Sequence, residues 1–201
     1  MIVADLEQGS DEWFKEKLGK PSASNINKIL TNEGKPSKQR EGYLYELAAQ
    51  IITGKYEEVY KNPAMEQGNE REQESRNYLE VVLGVNIKKT GVIYKDEKKL
   101  FLCSPDGIAE NESFGAELKN PLGKTQVKYL LDGTLPSEYF GQVQMSLYVT
   151  GLPYWWFLSY VPLMNPLMIK VEPDKAYQKA LAVELELFTG ELESVIKKLR
   201  G

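Results

Sequence analysis

Apolar positions along this chain recur at two periods, and the switches between them outline its elements. Leu44, Leu47, Ala48, Ile51 and Ile52 follow the i, i+3, i+4, i+7, i+8 spacing of an amphipathic helix, which Gly54 ends. The same period returns in Tyr177, Leu181, Leu185, Phe188, Leu192, Val195 and Leu199, the stripe of a last helix starting near Asp174. A third helix is expected over 63–83, with Leu79, Val82 and Leu83 inward. Ser10 can cap a helix to about residue 18, with Asp11 and Glu12 in its first turn and Gly19 as the stop. Ser22 or Ser24 can begin a short helix ending near Leu30, before a loop that carries Gly34 and Pro36. Further helices are expected over 124–131 and from Pro136 to about Thr150. Runs at 85–94, 100–109, 114–119, 154–161 and 167–172 read as strands, with a turn at 96–99. No repeat, low-complexity stretch or linker interrupts the order. The expectation is one α/β domain over 1–201, a central mixed β-sheet flanked by helices.

Composition narrows the chemistry more than the fold. The chain has no histidine, which removes Ser-His-Asp and Cys-His catalysis and histidine-ligated zinc. The single Cys103 cannot close a disulfide within the chain or supply four thiolates to an iron–sulfur cluster. Any metal must then be a hard cation on oxygen ligands, magnesium or manganese. No run of 18 apolar residues suggests a membrane span. The first residues lack the basic-then-apolar order of a secretory signal, so a cytoplasmic location is expected. Net charge is −4, which speaks against nucleic acid, yet seven basic residues from Lys15 to Arg40 crowd the first forty positions. A basic groove on an acidic protein is compatible with both facts.

Candidate chemistry concentrates between residues 100 and 121. An apolar run delivers Asp106 at Pro105-Asp106, and the next run carries Glu117-Leu118-Lys119. In a strand, positions i and i+2 share a face, so Glu117 and Lys119 project together while Leu118 turns away. Pairing of the two runs as a hairpin would bring Asp106 beside them. Two carboxylates and an ammonium on one edge suit a divalent cation and a phosphate. Upstream, Glu72 lies only about 20° around the helix axis from Leu79, whereas Glu70 lies about 180° away. An inward carboxylate requires a metal or a cationic partner, and a plain buried Glu–Lys or Glu–Arg bridge would satisfy it as well. Gly123-Lys124-Thr125 imitates the end of a P-loop, but position 118 is Leu where that loop needs Gly.

Pro105-Asp106 with Glu117-x-Lys119 matches the nuclease pattern Pro-Asp, spacer, Asp/Glu-x-Lys, and other markers keep the same order around it. They are Gln8-Gly-Ser-Asp-Glu-Trp13, Leu18-Gly19, Ser22-Ala-Ser24, Gly68-x3-Glu72, Gly84-Val-Asn86, Cys103-Ser-Pro-Asp-Gly107 and Gln142-Val-Gln144. With these, the chain resembles the phage lambda exonuclease-like viral recombinase family, within the restriction-endonuclease-like fold. The resemblance implies Asp106, Glu117 and Glu72 as metal-binding carboxylates, the Leu118 carbonyl as a further ligand, and Lys119 as the catalytic lysine. It also implies a pocket for a DNA 5′-phosphate built from Lys17, Ser24, Ser104 and Gln142. The family's pocket carries arginine where this chain has Lys17, and lysine lacks arginine's bidentate fork.

What the resemblance implies is a magnesium-dependent, manganese being possible, 5′-to-3′ exonuclease on linear double-stranded DNA. It would release 5′-mononucleotides and leave 3′ single strands for recombination by annealing. A homotrimeric ring and a single-strand annealing protein as partner are implied too. Two other readings stay open: an endonuclease or single-strand-specific nuclease with the same site, and a non-catalytic DNA-binding recombination scaffold. Plain structural roles compete for the accessory residues: Trp13, Trp155 and Trp156 in the core, Ser24 as a cap, Lys17 as a surface charge, Cys103 buried and inert.

Overall fold

A computed structural model of the chain describes residues 1–56 and 63–201. Its main sheet has five strands: β2 (Ile87–Lys88), β5 (Gly107–Ala109), β6 (Gly115–Lys119), β7 (Trp155–Ser159) and β8 (Leu167–Val171). They lie in the order β2-β5-β6-β7-β8, with β6 and β7 parallel and every other pair antiparallel. A smaller antiparallel sheet holds β1 (Ile2–Ala4), β3 (Val92–Tyr94) and β4 (Leu102–Cys103) in the order β1-β3-β4. The helices are α1 (Asp11–Lys17), α2 (Arg40–Thr53), α3 (Pro63–Leu83), α4 (Gly123–Asp132), α5 (Ser137–Thr150) and α6 (Lys175–Arg200), with a 3-10 turn at Ala23–Lys28. This is the mixed α/β arrangement expected, with helices on both faces of the central sheet.

Strand alternation assigns the two faces. Ala116 and Leu118 of β6 pack with Leu79 of α3, Ile87, Phe114 and Leu158. Trp155 of β7 instead joins the larger core, where Ile26 and Ile29, Leu44 and Leu47 of α2, Val143 and Leu147 of α5, and Leu181, Leu185 and Phe188 of α6 are buried. A third group covers Phe157 with Tyr129 of α4 and Leu167. The helix ends follow their predicted signals. Ser10 accepts from the Trp13 N–H at 3.2 Å, Asp174 accepts from the Tyr177 N–H at 2.9 Å, and Gly54 sits at φ +65° after α2.

The structure departs from the expected pattern in three places. The runs 85–94 and 100–109 are not single strands: each breaks in the middle and passes from one sheet to the other. Pro105 has no N–H for a ladder bond, which suits the second break. At the first break the chain carries Gly91, where an added Cβ would stand 2.5 Å from the carbonyls of Ala4 and Leu6. Strand β1, which has no alternation to announce it, is held by pairing with β3. Ile52, Val82 and Leu199 are exposed at 47%, 48% and 64%, so three predicted stripes are narrower than their apolar letters. Gly68, Glu66 and Glu70 lie outside the described side chains. Among the described residues no helix is long and apolar enough to cross a membrane.

Candidate active site

Strands β5 and β6 form the hairpin that the spacing predicts, with Gly107 opposite Ala116 and Ile108 opposite Gly115. Continuing this register by one residue sets Asp106 across from Glu117. The Leu118 N–H donates to Asp106 Oδ2 at 2.6 Å, which fixes the aspartate against the neighbouring strand. Glu117, only 1% exposed, accepts from Gln142 Nε2 of α5 at 2.6 Å and is ion-paired with Lys119 through the same oxygen. The Lys119 ammonium stands 5.3 Å from the centre of the Tyr139 ring. Asp106, Glu117 and Lys119 thus meet at one end of the main sheet, under the start of α5.

The charges in this cluster do not balance. Burial, then the Glu117 carboxylate, push the Asp106 carboxyl up to about 7, with Lys119 and the Leu118 N–H pulling the other way. Burial alone would lower Lys119, but Glu117 and Asp106 beside it outweigh burial and raise it above the ordinary lysine value. With both carboxylates ionised beside it, Lys119 is favoured as an ammonium, able to donate a hydrogen bond and offset charge. One ammonium faces two carboxylates.

Glu72 approaches from the other layer, on α3. Its Oε1 is ion-paired with Arg76 and stands 3.5 Å from Lys89 Nζ. The inward carboxylate therefore has its cationic partners within the chain. Arg76 itself is 5% exposed and also donates to the Asp106 carbonyl from Nε at 3.3 Å and Nη2 at 3.0 Å. Sequence reasoning missed Arg76, although a Glu followed four residues later by Arg is a pairing signal on a helix. It also gave no role to Gln8, whose Nε2 donates to the carbonyls of Thr90 at 2.7 Å and Pro105 at 2.8 Å. Gln8 clasps the two points where the chain changes sheets. Among the described residues no three histidine, cysteine or carboxylate side chains converge closely enough to hold a metal ion unaided.

The four residues of the expected phosphate pocket fall in two groups. Lys17, at the end of α1, lies over the Trp13 ring at 3.6 Å from its centre, and Trp13 Nε1 donates to Ser104 Oγ at 3.0 Å. Ser104 passes the chain on by donating to the Gly91 carbonyl at 2.6 Å. Burial lowers Lys17 to about 8, and no ion pair compensates it among the described residues. Lys17 and Ser22 line one cleft with Lys20, Asn25 and Tyr43, and Ser24, exposed, contacts Ser22 at 3.2 Å between hydroxyl oxygens. Gln142 is apart from these, on Glu117. Its neighbour Gln144 points the opposite way, donating to the Glu172 carbonyl at 2.9 Å and accepting from the Asp174 N–H at 2.9 Å. That pairing holds α6 to α5. Trp155, 0% exposed, and Cys103, 0% exposed, are core residues.

Known proteins place this geometry in a family. A structure of an alkaline exonuclease, LHK-Exo from Laribacter hongkongensis, is 28% identical, with 95% of this chain and 96% of that chain covered and a TM-score of 0.84. The complex of LHK-Exo with dAMP gives the same identity and a TM-score of 0.85. A phage-related exonuclease from Haemophilus somnus 129PT, 14% identical over 90% of this chain and 96% of that one, shares the fold at a TM-score of 0.68. No curated protein matches the chain. Residues 12–153 match the family model of the YqaJ-like viral recombinase domain, and the chain belongs to that family.

Proposed function

We propose that the chain is a metal-dependent exonuclease that digests linear double-stranded DNA from its 5′ ends. It releases 5′-mononucleotides and leaves 3′ single strands for recombination by annealing. The observation that carries this reading is the cluster of Asp106, Glu117 and Lys119, two carboxylates behind one ammonium at the end of a sheet. The likeness to LHK-Exo, solved with a deoxynucleoside monophosphate, supports both the substrate class and the product.

Carboxylate oxygens of Asp106 and Glu117 and the Leu118 carbonyl would hold hard divalent cations, magnesium or manganese, and Glu72 would be drawn in from α3, since the three carboxylates do not converge closely enough unaided. Such ions, when bound, supply an acidified water and stabilise the leaving 3′-oxygen. Lys119, as an ammonium, orients that water and offsets charge on the phosphorane. Gln142 holds the Glu117 carboxylate in place, while Lys17, Ser24 and Ser104 are the proposed contacts to the 5′-phosphate. The desolvated ammonium of Lys17, without an ion pair among the described residues, suits an anion. The basic N-terminal helices follow the DNA backbone.

The whole chain, 1–201, forms one nuclease domain on this reading, since its main core draws on residues from Ala23 to Leu192. It works in the cytoplasm, where a single buried thiol stays reduced. The resemblance adds a homotrimeric ring and an annealing protein as partner. Light scattering that returns a monomer at working concentration would remove the ring.

The decisive experiment uses end-labelled linear duplex and a closed circle, each with magnesium. The 5′ label should leave first as a mononucleotide while the circle persists, and Lys119→Ala should abolish digestion with DNA binding retained. Cutting of the circle would transfer the site to an endonuclease. No metal-dependent digestion by the unmodified protein would favour a non-catalytic scaffold.

A further inference from the structure

Arg76 is a nearly buried cation, 5% exposed, with no part in the reading above. It lies on α3 one turn after Glu72, and its guanidinium reaches three acceptors. Nε and Nη2 donate to the Asp106 carbonyl at 3.3 and 3.0 Å, Nη1 donates to Gln73 Oε1 at 3.0 Å, and Nη2 pairs with Glu72 Oε1. A guanidinium withdrawn from water is tolerated only where its donors are met, and here they are met by the two segments that bring Glu72 and Asp106 together. Lys89 approaches the same Glu72 oxygen differently, from outside, at 3.5 Å and with its side chain 48% exposed.

We propose that Arg76 is a positioning residue: it ties the Glu72 carboxylate to the Asp106 turn so that both reach one divalent cation, while Lys89 is a displaceable counter-ion. This rests on the metal-dependent nuclease reading. Two effects of Arg76 oppose each other. Its positive charge repels a nearby cation, whereas its grip on two elements removes the disorder that metal binding would otherwise have to remove. The planar fork spanning a carbonyl and a carboxylate favours the second, and lysine, a point charge, cannot reproduce it. Groups that orient metal ligands in this way are typically worth about 10–100-fold in metal affinity.

The test is calorimetric titration of manganese into the protein without DNA. Arg76→Met should weaken binding by about 10–100-fold. Arg76→Lys should fail to restore it, and Lys89→Met should leave affinity equal or higher. Combining Arg76→Met with Glu72→Gln should be no worse than Glu72→Gln alone, because the two act as one unit. Affinity at or above wild type in Arg76→Met overturns the inference, as do losses that simply multiply. If Arg76→Met does not fold, Arg76→Lys decides: wild-type affinity there overturns it. A wild-type protein that binds no manganese overturns the nuclease reading and this inference with it.

Discussion

At the residue scale, the proposed function turns on two groups whose surroundings displace their protonation. Asp106, pushed up to about 7 by burial and by Glu117, keeps its proton in a range where an ordinary carboxyl has lost it. A cation must expel that proton, so magnesium affinity should fall below pH 7 by roughly tenfold per pH unit for one proton. Metal titrations at pH 6 and pH 8 that give the same affinity would contradict this. Stability of the metal-free protein should move the other way. A raised carboxyl favours the folded state at low pH, and that advantage is lost as pH rises through about 7. Lys17 has the opposite sign. Lowered to about 8 by burial, it penalises the folded state while protonated, and the penalty fades as pH rises through that value. Lys17→Met should therefore not lower the melting temperature, while equalising digestion of 5′-phosphorylated and 5′-hydroxyl ends. A variant that melts earlier and still prefers the phosphate would sink the assignment. The convergence of Glu117 and Lys119 was legible in the sequence because i and i+2 in a strand share a face, and that of Asp106 because the two runs could pair as a hairpin. Arg76 was not, because a charged letter on a helix ordinarily means solvent.

At the element scale, the hairpin of β5 and β6 depends on close approach as much as on hydrogen bonds. Gly115 lies beside Trp155 in the parallel pair β6–β7, and an added Cβ would stand 2.2 Å from the tryptophan ring. Trp155 is 0% exposed and has no room to yield. Gly115→Ala should destabilise the fold by about 1–3 kcal/mol, as overpacking does. It should also reduce activity by shifting Glu117 two residues along. An unfolding midpoint in urea equal to wild type would show that the ring can move. The helices were largely readable from their period, caps and terminal glycines. The strands were readable as apolar runs but not as partners. Periodicity reports which face is buried and is silent about which sheet a residue joins, so the breaks at Gly91 and Pro105 needed the structure. The bridging role of Gln8 was hidden for the same reason, since its acceptor on Pro105 lies 97 residues away.

At the scale of the whole molecule, the two layers contribute different halves of the site. Glu72 and Arg76 come from α3 on one face, Gln142 and Tyr139 from α5 on the other, and the main sheet ends between them. The connection that enters this sheet end, from Ser104 to Asp106, carries a residue of the proposed end pocket and one of the proposed cleavage site. Two residues of chain span at most about 7 Å. On the proposed assignment of Ser104 to the end pocket and Asp106 to the cleavage site, the gripped end and the cut bond would lie on the order of one nucleotide apart. The connection would then serve as a gauge on the proposed function, with the stride of digestion set by covalent length and indifferent to base sequence. Chromatography of digests from duplexes of unlike sequence should return monomers throughout. One glycine inserted between Ser104 and Pro105 should lengthen the fragments or stop digestion, and unchanged monomers would mean that stride is measured elsewhere.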